Sequence, residues 1–377
     1  MGLHWGTEAL KNLIPSEMYS RLQSTQVDPF TPTKEDDLDE LRFLNGESGE
    51  VMSSIPARGF LRLRRGKLRS LLREGVEVLF GCSLQCLEYP NERDGEGVMA
   101  VLEDGRCITA EIVIGADGAR STTRSLLLTP GLSSGPGPER GDNAGLRHLP
   151  YSATWVQARY TRDQALFLRS FHPLYIASIH PSGFFSFLGM HDVADPKKPE
   201  TWTFFFYISW HSPAEEQEAT KHWDNKKRLK QVKGFARDFA EPWKSAFGWL
   251  GEEHEVWYMN LSDFDPAKYQ GGEGLGLGLG FDGRVTLAGD AAHAMTYQRG
   301  QGLNHSLTDA RYLVDAIKEV VHGQKSRKEA IRGYEEEMIE RAGAEVRMSA
   351  MNTEMVHDWD KVLESPVMRS GMNRQDR

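Results

Sequence analysis

One stretch constrains the fold of this chain more than any other: Gly283–Leu313, which reads GRVTLAGDAAHAMTYQRGQGLNHSLTDARYL. It opens with a predicted strand, Arg284–Ala288, and a helix is predicted to begin near Leu303. Asp290 directly follows the strand, and α/β folds bind ligands at such strand ends. In the loop Arg299–Gly302, glycine lets bare backbone N–H groups approach a ligand, and the helix adds the positive end of its dipole. The stretch therefore predicts a site for a polyol beside an electron-rich ring, although Asp290 acting only as a helix cap is the plainer alternative.

A second strand–turn–helix pattern lies upstream, in Glu111–Arg124 (EIVIGADGARSTTR). The β-branched run Ile112–Ile114 ends in Gly-Ala-Asp-Gly, so that Asp117 also follows a strand directly. Ser121 or Thr122 is predicted to cap the helix that follows. Taken alone, the pattern is also compatible with an ordinary strand–turn–helix connection.

A basic segment, Arg62–Leu72 (RLRRGKLRSLL), precedes both patterns. Five of its eleven residues are basic, and leucines at its C-terminal end predict one apolar face of a helix. The basic end is suited to neutralising a pyrophosphate. A basic helix on the protein surface, without a ligand, is the alternative.

These segments together resemble the FAD-dependent monooxygenases of the aromatic-hydroxylase type. The run Gly289–His293 matches the GDAAH motif of that family, and Gly115–Arg124 matches its DG motif. Arg65, with Leu68 three residues later, matches the arginine and leucine that open a flavin-contacting helix. The family usually has proline where this chain has Tyr297, beside the oxygen-reactive face of the flavin.

The resemblance implies a role for each matched residue. Asp290, after Gly289, would bind the ribityl chain of FAD, and Arg65 would reach the flavin. Asp117 would support FAD and the approach of NAD(P)H. The residues whose loop would face the pyrimidine edge of the flavin are Gly300, Gly302, Leu303 and Asn304. The resemblance names no catalytic acid or base.

The region from Tyr151 to Asn260 has a different pattern, in which short alternating segments follow one another. The strands predicted there are Trp155–Tyr160, Leu166–Ser170, Tyr175–His180, Phe184–Leu188 and Thr203–Trp210. We therefore predict an α/β FAD-binding fold with an inserted antiparallel substrate-binding sheet. Aromatic residues of this sheet either line an apolar substrate pocket or pack one face of the sheet; the three considered are Phe185, Phe187 and Phe205.

The predicted organisation has three parts. Residues 1–150 form the first part of the FAD-binding domain, residues 151–262 the antiparallel layer, and residues 263–377 the second part with C-terminal helices. The Pro- and Gly-rich stretch Thr129–Arg147 marks the first boundary. Within the first part, Asp28–Glu50 is predicted to be a solvated surface excursion and Val76–Phe80 a strand.

Composition narrows the functional classes. The formal net charge of −9 argues against a nucleic-acid partner. No apolar run is long enough to span a membrane, and the first residues lack the pattern of a signal peptide, so a cytoplasmic location is predicted. The chain has few thiols, which is typical of a protein in a reducing compartment: Cys82, Cys86 and Cys107. No histidine or cysteine pair near Cys82 and Cys86 completes the four ligands of a metal site.

The G-x-G-x-x-G turn that would hold the FAD pyrophosphate is not found in these residues. Gly271–Gly280 (GGEGLGLGLG) has another spacing and is interpreted as a linker. The expectation is that the family's first βαβ unit is missing, either because the sequence is a fragment or because the chain is truncated. Such a chain would hold FAD poorly.

The predicted function is insertion of one oxygen atom into a small apolar or aromatic organic substrate, with FAD, NAD(P)H and O2. NAD(P)H would supply the reducing electrons to FAD. Two alternatives remain at this stage. One is a catalytically silent interaction module, which the missing phosphate turn motivates. The other is an FAD-dependent oxidoreductase that does not insert oxygen.

Overall fold

The computed structural model describes residues 1–31, 38–88, 97–128, 145–269 and 282–370. Most of the Thr129–Arg147 boundary and all of the Gly271–Gly280 linker lie outside the described residues. The strands are β1 (Gly2–Leu3), β2 (Leu38–Asn45), β3 (Val51–Arg58), β4 (Leu61–Arg62), β5 (Leu84–Glu88), β6 (Val98–Leu102), β7 (Cys107–Ala110), β8 (Val113–Gly115), β9 (Arg147–Arg159), β10 (Tyr175–His180), β11 (Phe184–Asp192), β12 (Thr203–His211), β13 (Trp257–Asp263) and β14 (Val285–Leu287). The helices are α1 (Thr7–Leu13), α2 (Ser16–Ser20), α3 (Arg65–Leu72), α4 (Thr122–Leu128), α5 (Arg162–Phe171), α6 (Ala214–Thr220), α7 (Asn225–Ala236), α8 (Trp243–Gly248), α9 (Asp290–His293), α10 (Gly302–Val321), α11 (Arg327–Val356) and α12 (Pro366–Ser370).

The largest sheet has seven strands in the order β13-β9-β12-β11-β10-β2-β3. All neighbouring pairs are antiparallel except β10 and β2, which run parallel. The predicted antiparallel layer is therefore present, and it is separate from the parallel strands of the two motifs. The prediction that Asp28–Glu50 is a solvated excursion is wrong, because β2 joins this sheet and buries Leu41 and Phe43.

The two faces of the large sheet have different roles. One face packs against helices α5 to α8 in a core that includes Val156, Phe206, Trp243 and Phe247. The opposite face carries aromatic rings in register across three strands, β11, β12 and β9. Because directly paired residues share a face of a sheet, the pairs Phe187–Tyr207 and Tyr207–Trp155 place three rings side by side.

The two motif strands form a parallel pair. Val285 is opposite Val113, and Leu287 is opposite Gly115. A Cβ on Gly115 would lie 2.6 Å from Thr123 and 2.7 Å from Leu287, so only glycine lets α4 pack this closely on the pair. Helices α10 and α11 cover β14, which keeps all three of its residues buried.

Two strand predictions are wrong. Leu166–Ser170 lies in helix α5, which begins with a capping box in which Thr161 and Gln164 bind each other's backbone. Val76–Phe80 contains no strand, and its apolar side chains are exposed, with Phe80 at 70%. Among the described residues, Val76–Phe80 takes part in no strand pairing.

Within the described ranges, no helix combines the length and the apolar character that crossing a bilayer requires.

Candidate functional site

The turn at Gly289 and Asp290, here called the Gly-Asp turn, is fixed by a backbone hydrogen bond. Gly289 has φ +63°, a conformation that favours glycine, and its N–H donates to Asp309 Oδ2 at 2.7 Å. A Cβ at this position would also meet Ser306 Oγ at 3.0 Å. The turn places Asp290 at the first position of α9 with an exposed side chain. Its Oδ1 lies 3.7 Å from where a Cβ on Gly302 would stand, so the carboxylate lies beside the start of α10.

The N-terminus of α10 presents free donors. In the part of the chain that the structure describes, the backbone N–H groups of Gly302, Leu303 and Asn304 meet no acceptor. A helix leaves its first N–H groups unpaired, and its dipole makes this end attractive to acceptors and anions. Gly300 differs from the expectation of a free donor, because its N–H bonds Tyr297 O at 2.9 Å. Its contribution is the turn, at φ +68°.

The Asn304 side chain does not face a ligand. Its Oδ1 accepts from the backbone N–H groups of His4 and Gly6, each at 3.1 Å. Its Nδ2 lies 3.1 Å from His4 Nε2 and 3.4 Å from Gly2 O. Asn304 is fully buried by these contacts. It therefore anchors the first residues of the chain to α10, and only its backbone N–H is left for a ligand.

A buried charge cluster supports the Gly-Asp turn. Asp309 accepts from His293 Nε2 at 2.6 Å and from Arg341 at 2.7 Å, and all three side chains are buried. Burial by itself raises the pKa of Asp309, but His293 and Arg341 together hold that pKa below its usual range. Asp309 therefore stays ionised and keeps accepting from Gly289 N. Arg341 also donates to His305 Nδ1 of α10, at 2.7 Å.

Arg124 joins the two motifs. This fully buried side chain donates to Ala291 O at 2.8 Å and to Ala119 O at 2.5 Å. Its guanidinium also stacks on Phe264, 4.4 Å from the ring centroid. Burial lowers the pKa of Arg124 to about 10, so it remains charged at neutral pH. One cation therefore fixes the DG turn against the carbonyl groups of α9.

The carboxylate of Asp117 accepts hydrogen bonds from within its own turn. One carboxylate oxygen accepts from Ser121 Oγ at 2.5 Å, and the other accepts from Thr123 N at 3.0 Å. Ser121 Oγ accepts in turn from Arg124 N at 2.9 Å, which confirms the predicted serine cap of α4. Asp117 thus shapes the turn and occupies its oxygens in doing so.

Arg65 is the first residue of α3 and is exposed. Among the described residues its guanidinium pairs with no carboxylate. The helix itself is close to α10, because Leu68 lies in the same apolar cluster as Leu303 and Leu307. The structure therefore places the helix that carries Arg65 beside α10, and the N-terminus of α10 lies next to Asp290.

An aromatic cluster lies over the loop that follows α9. The ring centroid of Tyr297 lies 4.4 Å from that of Trp155 and 5.0 Å from that of Tyr207. Phe205 and Phe187 continue the cluster, at 5.1 Å from Trp155 and 5.8 Å from Tyr207. We call these five residues the aromatic box. Phe185 belongs to the same apolar cluster, 6.0 Å from the ring of Tyr207, and is 2% exposed.

Within the described ranges, two buried polar atoms of the aromatic box have no hydrogen-bond partner: Trp155 Nε1 and the Tyr297 hydroxyl. Ser209 lies near that hydroxyl but hydrogen-bonds His357 instead. Burial raises the pKa of Tyr297, so the hydroxyl keeps its proton and can donate.

Trp155 and Tyr207 were not predicted from the sequence. Both alternate with core residues along their strands, and this pattern is the same as that of ordinary sheet packing.

These features fit a bound flavin. Unpaired buried donors cost free energy, so the N–H groups at α10 and the lone donors of the box call for acceptor atoms from a ligand. Within the described ranges, no group of three or more His, Cys, Asp or Glu side chains is arranged to hold a metal ion.

Comparison with known proteins agrees with this assignment. Residues 280–349, which contain the Gly-Asp turn and α10, match the family model described as "FAD binding domain". The chain is 31% identical over 380 residues to the FAD-dependent monooxygenase phnB of Penicillium herquei, with 100% of this chain and 85% of phnB covered. It is 32% identical over 375 residues to the FAD-dependent monooxygenase cctM of Talaromyces islandicus, with 99% and 86% covered.

Solved structures share the fold. Klebsiella pneumoniae HpxO, complexed with FAD and uric acid, superposes with a TM-score of 0.70 at 18% identity, over 99% of this chain and 83% of HpxO. The 2,6-dihydroxypyridine-3-hydroxylase of Arthrobacter nicotinovorans gives a TM-score of 0.66 at 15% identity, over 97% and 87%. The geometry of the Gly-Asp turn and the identity to curated relatives lead to one conclusion: this chain belongs to the FAD-dependent monooxygenases, enzymes that use FAD and O2 to insert an oxygen atom into an organic substrate.

Proposed function

We propose that this enzyme hydroxylates a small aromatic substrate that lies between the aromatic box and the flavin, with NAD(P)H as the reductant. The observation that carries the proposal is the position of Tyr297. It belongs both to the loop between α9 and α10 and to the aromatic box. A flavin on this loop would therefore have an aromatic-lined space beside it.

In this proposal Asp290 binds the ribityl chain of FAD. The exposed carboxylate beside Gly302 supports that role, because ribityl hydroxyls are donors and a carboxylate accepts only. The free N–H groups of Gly302, Leu303 and Asn304 would donate to the acceptor atoms of the flavin ring. Gly289 and Gly300 would shape the backbone on either side.

The other assigned residues act from the DG motif and from α3. Arg65 would reach the flavin from α3, which packs beside α10. Asp117 would hold the DG turn in shape for FAD and for NAD(P)H, since its oxygens are committed to the cap of α4. Bound FAD supplies the redox and oxygen chemistry. The protein binds, orients and keeps water away.

The proposed division into an FAD-binding part and a substrate-binding layer follows the separate sheets. Residues 1–150 and 263–377 would form the FAD-binding part, and residues 151–262 the substrate-binding layer. The parallel pair of β8 and β14 and the antiparallel pairing from β9 to β13 support the division. Strands β2 and β3 extend the substrate layer from the first segment.

The experiment is product analysis under labelled oxygen. The purified chain, with added FAD and NADPH, is incubated with a panel of naphthols under isotopically labelled O2. We expect a hydroxylated product that carries one labelled oxygen atom. A panel that only stimulates NADPH oxidation, with hydrogen peroxide and no labelled product, would reject these aromatic compounds as substrates.

A further inference from the structure

Arg62 occupies an unusual place beside the aromatic box. It ends strand β4, and its guanidinium carbon lies 4.8 Å from the ring centroid of Phe187 and 5.7 Å from that of Tyr175. Gly189 makes room for it, since a Cβ there would stand 3.1 Å from Arg62 Nη2. Phe187 neighbours Tyr207, so the cation lies at one end of the box.

Among the residues that the structure describes, no carboxylate pairs with this cation. Its one hydrogen bond in the described part of the chain is a long one, from Nε to Met190 O at 3.4 Å. Asp192 is close in sequence to that carbonyl, but it pairs with Lys67 at 2.7 Å and with Arg64 at 3.4 Å. The side chain is half-buried, and this burial lowers the pKa of Arg62 to about 10, so it is still charged at neutral pH.

A purely structural role explains this arrangement poorly. Aromatic faces attract a cation, but they offset only part of the cost of removing it from water. Proteins that bury a guanidinium usually pair it with a carboxylate, which it can bind through two parallel hydrogen bonds. The terminal nitrogens of Arg62 are thus suited to an anion that the protein itself does not supply.

The residues around Arg62 also indicate the kind of molecule that carries the anion. The aromatic box offers flat apolar surfaces for a ring. Its two unpaired polar atoms, Trp155 Nε1 and the Tyr297 hydroxyl, are both able to donate. The aromatic box therefore combines two donors with a positive charge at one end, which favours an oxygen-rich aromatic molecule.

We propose that Arg62 is a specificity-determining residue that binds an anionic oxygen of the substrate, a carboxylate or an ionised phenol. The enzyme would then select anionic aromatic compounds over neutral ones of the same shape. This inference rests on the proposed function, because it assumes that the substrate occupies the aromatic box.

The test compares two probes of equal shape, 2-naphthoate and the neutral 2-naphthamide. Their binding to the full chain, with excess FAD present, is measured by titration calorimetry. We expect 2-naphthoate to bind about tenfold more tightly or better, as one charge-assisted hydrogen bond implies. Arg62→Gln should remove that preference, and Arg62→Lys should keep part of it. Arg69→Gln, which removes an exposed charge from α3, is the matched control and should change nothing.

Two results would overturn the proposal: equal binding of both probes to the unmodified chain, or a preference that survives Arg62→Gln. If Arg62→Gln does not fold, the unmodified chain and Arg62→Lys still decide, because Lys must retain a preference for the anion. Failure here is distinguishable from failure of the proposed function. Labelled naphthol products without any anion preference would reject the role of Arg62 alone.

Discussion

The Gly289 N–H donates to Asp309 Oδ2 across 2.7 Å, so the turn that presents Asp290 rests on a buried ionised carboxylate. Asp309 meets His293 and Arg341 on its other sides. The turn that carries Asp290 and the charge cluster beneath it are therefore one unit. Mutations in the cluster should act on the turn without touching a ligand.

Asp309→Asn tests this unit. The change removes one of the two carboxylates that bind Arg341, while Glu337 stays paired with it at 2.7 Å, and the loss of one charged partner from a buried group costs about 1–3 kcal/mol. We expect a loss of that size in the free energy of urea unfolding. Asp315→Asn, on an exposed position of the same helix, should stay within about 0.5 kcal/mol of the unmodified chain. Equal stabilities of the two variants would show that the charge cluster does not contribute to the free energy of unfolding.

Glu335 predicts a pH dependence. It is 4% exposed, accepts from Thr286 Oγ1 of β14 at 2.7 Å, and burial raises its pKa to about 8. Because the folded pKa lies above the unfolded value, the folded chain binds the extra proton. Stability from this group is complete below about pH 4.5 and is lost as pH rises towards 8. The loss is at most about 1.4 kcal/mol per pH unit.

Glu335→Gln mimics the protonated form. Its thermal midpoint should match that of the unmodified chain near pH 5 and exceed it near pH 8. Glu336→Gln, on the exposed neighbour, should follow the unmodified chain at both values. A Glu335→Gln variant whose advantage does not grow with pH would mean that Glu335 is ionised in the folded state.

Removing the hydroxyl group should change the free energy of unfolding in opposite directions at two tyrosines. The Tyr297 hydroxyl is buried without a partner, whereas the Tyr334 hydroxyl donates to Leu287 O at 2.7 Å. An unpaired buried polar group costs about 1–3 kcal/mol. Tyr297→Phe should therefore stabilise the ligand-free chain, while Tyr334→Phe should destabilise it. Urea unfolding of both variants measures the difference, and a loss of stability in both would mean that Tyr297 has a partner.

Much of the FAD-facing half was predictable from local pattern. The strand at Val285–Leu287, the turn at Gly289 and Asp290, and the helix from Gly302 each follow from short-range rules on strands, glycine and helix starts. The cap at Ser121 was predictable for the same reason. The roles of these residues towards FAD stay predictions, as does the need for a G-x-G-x-x-G unit.

The remainder depends on contacts between distant residues. Strand β2 was missed because the acidic stretch around it hid its hairpin with β3, and it joins the sheet through β10, more than a hundred residues away. Helix α5 was misread as a strand although the Thr161–Gln164 capping box was available as a signal. Arg62 looked like one cation in a basic helix, because its aromatic neighbours come from other strands. Asp309 gave no local sign that it supports Gly289.

The binding role of Asp290 is the central claim, and FAD affinity of Asp290→Ala tests it most directly. Titration of FAD, followed by flavin fluorescence, is compared between the unmodified chain, Asp290→Ala and the exposed control Asp315→Ala. Loss of hydrogen bonds to a charged acceptor should weaken FAD binding by about tenfold or more in Asp290→Ala. The control should bind as the unmodified chain does. Equal FAD affinity in all three proteins would contradict the account and remove Asp290 from the flavin site.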